Sequence, residues 1–292
     1  MILDPMPAAH LYSGLVWEDA TEGCAAYLAE KDAHTAVLFV HGFYGHPTKT
    51  WGDFVAAADN DGRFDAADLF FWGYSSRSEV GQTANRLHRL LARLAEGDPS
   101  LECGPPVEHH LLRALNRQPG RPYGRVVLAA HSLGGLVARK VLLHAATLNP
   151  PPDWMQRVRM TLFAPAQCGS VNLANVTKLT ESWWALVPVL RDVVSPPLRA
   201  LAAGSPELLQ LRADVRAAVG ARKAGALPAE PLVPSRLVWG KEDAVVVNDV
   251  LDGDPVAIEE DPANGNGFLN HGAVCKPGGI YLNALEHVYA AF

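Results

Sequence analysis

The stretch Arg125-Val-Val-Leu-Ala-Ala-His-Ser-Leu-Gly-Gly-Leu-Val-Ala-Arg139 constrains the fold more than any other part of the chain. Its first half is a run of β-branched and small apolar residues, the pattern of a strand buried on both faces. An apolar segment with helical spacing begins directly after His131-Ser132, with Leu136 and Val137 expected to face inward. A strand and a helix joined by so short a turn read as a nucleophile elbow. Such a turn strains the serine and leaves its hydroxyl exposed at the carboxyl edge of a sheet. Small neighbours are needed to avoid clashes, and Ala130 and Gly134 supply them. Ala130 departs from the strict G-x-S-x-G pattern, and S-x-G-G alone is a common string. The strand before it and the helix after it give it weight.

The rest of the chain repeats the alternation of strand and helix, which reads as α/β with a mostly parallel central sheet flanked by helices. Core strands are expected at Thr35 to Val40, Asp68 to Trp72, Arg125 to Ala130, Val158 to Ala164 and Ser235 to Trp239. A pair near Leu15 to Trp17 and Ala25 to Leu28 is expected to form an antiparallel edge. Val80, Leu87, Leu91 and Leu94 share one helical face, and Ser76 with Glu79 forms a capping box ahead of them. Glu96 to Pro122, with five prolines and three glycines around a helical piece at His110 to Leu115, reads as a surface insertion. A second insertion, residues 171–234, far exceeds the loops of roughly 2 to 6 residues usual in α/β units. It contains Trp183, Trp184 and a Leu-rich helix near Pro206 to Val219. It is expected to cap a site within a single domain spanning residues 1–292.

Charge and composition narrow the partners. Lys and Arg number 25 against 31 Asp and Glu, a net charge of -6 that disfavours a nucleic-acid backbone as ligand. Four scattered cysteines without a C-x-x-C pair indicate neither a zinc site nor a disulfide framework, and they fit a reducing compartment. Met1 to His10 lacks a basic start followed by an apolar run, so the expected location is cytoplasmic. No apolar run approaches the ~20 residues of a transmembrane helix, although contact with a lipid surface stays open.

A serine hydroxyl needs a base, and the base needs an acid, in the chain order Ser, Asp or Glu, His. Asp243 follows the strand Ser235 to Trp239 on the same sheet edge as Ser132, with Glu242, Asp249 and Asp261 as competitors. Downstream of it only His271 and His287 remain. His271 sits in a Gly/Asn-rich loop that can deliver an imidazole, whereas His287 falls in a packing helix. Upstream, the first core strand runs into His41-Gly42-Phe43-Tyr44-Gly45-His46-Pro47. An attacked carbonyl needs two N–H donors, and Phe43 and Leu133 are the expected pair. His41 reads as a brace for this loop or, less simply, as a proton carrier. Tyr44, His46, Trp183 and Trp184 are candidates for substrate contact. No companion ligands accompany His41 and His46 at metal spacing, so neither metal nor other cofactor is called for.

These motifs, in this order, resemble the α/β-hydrolase superfamily over Thr35 to Phe292. The segments Phe39 to Trp51, Gly73-Tyr-Ser75, His131 to Arg139 and His271 to Pro277 look like the lipase/esterase branch that includes GPI-inositol deacylase-like and serine-active-site-containing proteins. That resemblance implies a triad of Ser132, Asp243 and His271. Relatives often carry T-P-H-x-G-S after the next strand, where this chain has Ala164-Pro-Ala-Gln-Cys-Gly-Ser170. A substrate contact by that histidine is therefore not carried over. The expected activity is cleavage of a small-molecule or lipid carboxylic ester through an acyl-enzyme. The alternatives are an acyltransferase or thioesterase using the same triad, and a noncatalytic binding protein of the same fold.

Overall fold

The computed structural model describes residues 10–14, 24–75, 78–96, 121–170, 196–225, 232–261, 269–278 and 281–292. Eight strands form one sheet: β1 (His10–Gly14), β2 (Cys24–Ala29), β3 (Thr35–Val40), β4 (Ala67–Trp72), β5 (Arg125–His131), β6 (Val158–Phe163), β7 (Arg236–Gly240) and β8 (Ile258–Glu260). Their spatial order is β1-β2-β4-β3-β5-β6-β7-β8. The β1/β2 and β2/β4 pairs are antiparallel, and all pairs from β4 to β8 are parallel. The helices are α1 (Phe54–Asp59), α2 (Val80–Glu96), α3 (Leu133–Thr147), α4 (Pro196–Ala200), α5 (Pro206–Lys223) and α6 (Asn283–Tyr289).

The central strands β3, β4 and β5 are buried almost end to end, as strands covered on both faces must be. Helix α3 packs against α2 and α5 and is buried on nearly every side, which explains why its sequence is apolar all round. Helix α2 is amphipathic: Val80, Leu87, Leu91 and Leu94 face the core while its other side is polar. Asp68, an acid inside β4, is satisfied by the Ala29 N–H at 2.8 Å and the Tyr123 hydroxyl at 2.6 Å. A parallel sheet with an antiparallel start, a serine turn after β5 and helices around it is the α/β-hydrolase fold.

Expected boundaries and observed ones differ at a few places. The antiparallel partner of β2 is His10–Gly14, and Leu15 to Trp17 lie outside the described residues. The three-residue β8 was not expected, because Ile258-Glu-Glu260 has no apolar run; it forms by parallel addition to β7 at the sheet edge. Ser76 of the capping box, residues 97–120 including His110 to Leu115, and residues 171–195 with Trp183 and Trp184 also lie outside the described residues. Among the described residues, no helix is long and apolar enough to cross a membrane.

Candidate active site

Ser132 stands between β5 and α3 with φ 55° and ψ -121°, a conformation few non-glycine residues hold. Three backbone bonds hold it there. Its N–H donates to the Phe163 carbonyl at the end of β6 (3.0 Å), and its carbonyl accepts the N–H groups of Gly135 (2.9 Å) and Ala166 (3.1 Å). The approach of α3 to β3 demands glycine at 134, where a Cβ would lie 2.4 Å from the Val40 carbonyl oxygen and 2.5 Å from that of His41. At position 130 the methyl group of alanine is accommodated in the buried end of β5.

The structure brings Ser132, His271 and Asp243 into one hydrogen-bonded line. The Ser132 hydroxyl lies 2.9 Å from His271 Nε2, and His271 Nδ1 lies 2.9 Å from Asp243 Oδ2. A carboxylate can only accept, so Nδ1 carries the proton and Nε2 offers its lone pair to the serine hydroxyl. The other Asp243 oxygen accepts the N–H groups of Val245 and Val246 at 2.9 and 3.3 Å, which fixes the carboxylate at the end of β7. Glycine at 240 lets the histidine loop pass close by, since a Cβ there would stand 1.9 Å from the Leu269 carbonyl oxygen. The competitors lie elsewhere. Asp249 binds the Val250 N–H and faces Arg212 at the surface, and Asp261 pairs with Lys241. His287 meets Glu260 at 2.6 Å instead of the serine.

The backbone N–H groups of Phe43 and Leu133 have no acceptor among the described residues, and both residues border the serine, one in the loop after β3 and one at the start of α3. His41 is a brace. Its ring stacks on Tyr74 at 4.3 Å between centroids, Nδ1 donates to the Gly42 carbonyl, and Nε2 accepts the Tyr74 N–H. The Tyr74 hydroxyl in turn donates to the His41 carbonyl at 2.7 Å. Burial holds the His41 imidazole down at about 4, so it stays neutral.

A cavity of about 230 Å³ opens over Ser132, walled in part by Tyr44, Thr50, Leu201, Val245, Val246 and Lys276. Tyr44 lines the cavity. His46 does not: its Nδ1 accepts the N–H groups of Thr48 and Lys49, so the ring caps a short turn. Leu201 comes from the second insertion, and its carbonyl accepts the N–H of Ser170 in the segment that follows β6. Sequence reasoning missed His131, whose Nε2 donates to the His271 carbonyl at 2.8 Å. Its position beside the elbow serine was the available signal. Among the described residues, no group of three or more His, Cys, Asp or Glu is gathered as for a metal ion.

No protein-family model matches the chain, and no curated protein matches it. Among solved structures, the phospholipase PlaB from Legionella pneumophila is similar at 19% identity and a TM-score of 0.45, covering 71% of this chain and 39% of that one. The chain therefore spans about two fifths of that protein's length. Esterase B from Lactobacillus rhamnosis is 15% identical with a TM-score of 0.39, covering 82% of this chain and 68% of that one. The fluorophosphonate-binding serine hydrolase FphF of Staphylococcus aureus is 14% identical with a TM-score of 0.35, covering 80% of each.

Proposed function

We propose that this protein is a serine hydrolase that cleaves carboxylic esters. The observation that carries this reading is the line from Ser132 through His271 to Asp243, two contacts of 2.9 Å each, at the carboxyl edge of the sheet and on the floor of a cavity. In the proposed reaction the Ser132 oxygen attacks the ester carbonyl carbon while His271 Nε2 takes its proton. The oxyanion that forms is held by the N–H groups of Phe43 and Leu133. Collapse of this intermediate expels the alcohol oxygen, which receives the proton from Nε2, and leaves an acyl-serine. Water, deprotonated by the same nitrogen, then releases the acid and restores the serine. Asp243 keeps the imidazole in the required tautomer and stabilises its charge throughout.

The insertion 171–234 serves in this reading as a cap that sets acyl preference, supported by Leu201 at the cavity. Leu201, Val245 and Val246 make an apolar wall, and such a wall contributes about 0.8 kcal/mol per CH₂ that it buries. Turnover of p-nitrophenyl esters then climbs over the first few acyl carbons and levels off where the wall ends.

The test is labelling with a fluorophosphonate, in which the Ser132 oxygen displaces fluoride from phosphorus. Mass spectrometry should find the phosphonyl group on Ser132, and Ser132→Ala should lose both the label and ester turnover. Labelling at Ser75 or Ser170 in its place, or turnover that survives Ser132→Ala, would overturn the reading.

A further inference from the structure

The cavity has an electrical asymmetry that the chain as a whole lacks. The protein carries six more acidic than basic residues, yet among the described residues no Asp or Glu lines the cavity and one Lys or Arg does, the exposed Lys276. Asp243, the nearest acid of the site, is fully buried behind His271 with both oxygens bonded. Lys276 has no ion-pair partner among the described residues. Its stem packs beside Gly52, and its charge reaches the cavity floor: after burial and His271, it is one of the influences that lower His131.

Thr50 adds a second donor to the same wall. Its hydroxyl oxygen accepts the His46 N–H at 2.9 Å, and its own proton has no acceptor among the described residues. An ammonium and a hydroxyl proton without acceptors make a wall suited to anionic oxygen. A separate part of the lining, Leu201, Val245 and Val246 gathered around Ser170, suits an acyl chain. Lys276 belongs to the turn that begins at His271, and in the proposed reaction His271 hands its proton to the departing alcohol.

From this juxtaposition of Lys276 and Thr50 beside Ser132, and resting on the hydrolase reading above, we infer that the substrate is an ester whose alcohol part carries a phosphate or carboxylate group. The experiment compares kcat/KM for matched hexanoyl esters, short enough to stay monomeric. One pair is hexanoyl glycerol against hexanoyl glycerol 3-phosphate, and the other is the hexanoyl ester of 4-hydroxybenzamide against that of 4-hydroxybenzoate. The wild type should favour the charged member of at least one pair by roughly two- to fivefold, the range of a partly exposed ion pair. Which pair responds separates phosphate from carboxylate. Lys276→Met should bring that ratio near one, Lys276→Glu should take it below one, and Thr50→Val should lower it in part. Added salt should shrink the wild-type preference. No preference in the wild type, or an undiminished preference in Lys276→Met, would overturn this inference alone. Failure to cleave any of the four esters would overturn the hydrolase reading and the inference with it.

Discussion

Nε2 of His131 lies 2.8 Å from the backbone carbonyl oxygen of His271, so the residue before the proposed nucleophile holds the loop that presents the proposed base. A carbonyl only accepts, so Nε2 of His131 carries the proton. His131→Leu removes this tie without emptying the space and should lower kcat by up to about 10²-fold, since misplacing a catalytic group by an ångström costs that much. KM should change little. His131→Gln keeps an N–H near the Nε2 position and should recover most of the loss. Steady-state kinetics of the two variants, with circular dichroism to verify folding, checks this; wild-type kcat in His131→Leu would refute the tie.

The acid is tested by a pair of neutral substitutions. Asp243→Asn can donate to Nδ1 and so favours the wrong tautomer, and a loss of about 10⁴-fold in kcat is expected if the cost known for serine-protease acids carries over. Asp249→Asn alters a half-exposed carboxylate at the surface and should leave turnover unchanged. The reverse pattern would move the acid to Asp249.

Two buried histidines make stability depend on acidity. Burial lowers His41 to about 4, and burial with the neighbouring His271 lowers His131 to about 3, from an ordinary 6.5. As pH falls below 6.5 the unfolded chain takes up these protons and the native state does not. Stability is therefore lost from about pH 6.5 downwards, at ~1.4 kcal/mol per pH unit for each histidine, until the native imidazoles also protonate. Urea denaturation of His131→Gln between pH 4.5 and 6.5 should show a slope shallower by about one proton. An unchanged slope would mean that His131 is protonated in the native state.

Arg139 on α3 meets both oxygens of Asp254 at 2.6 Å, with both side chains 1% exposed. Gln167 and the Leu251 N–H bind the same carboxylate. This pair joins the helix of the proposed nucleophile to the loop that follows the proposed acid. Asp254→Ala leaves an uncompensated buried charge and should cost about 3 to 5 kcal/mol, whereas Arg139→Met with Asp254→Leu should cost much less. Chemical denaturation of both variants measures the difference, and equal losses would show that the pair acts by packing alone.

The five central strands were legible because burial on both faces writes a continuous apolar run into the sequence. Thr35 to Val40 is matched residue for residue, three others differ by one residue at one end, and β7 is shifted by one residue at both ends. The elbow was legible because a buried strand runs directly into His131-Ser132 and an apolar helix starts directly after it. Strand β8 was not legible, since its pairing comes from the edge of β7 and not from its own residues. Side-chain assignments fared unevenly for a related reason. Tyr44 could be placed from its loop, but the roles of His46, His131 and Tyr74 depend on which backbone groups fold back against each ring, and that is decided by contacts distant in sequence.

The elbow serine follows β5 and the proposed acid follows β7, with β6 between them. Two steps across a sheet amount to about 10 Å, and an imidazole with a 2.9 Å hydrogen bond at either end bridges a gap of that order. Strand spacing is set by backbone hydrogen bonds, which are the same whatever side chains the strands bear. The sheet thus acts as a ruler that mutation of its core cannot recalibrate. Changes of specificity must come through the loops at the carboxyl edge, and the separation of nucleophile and acid stays constant while they change.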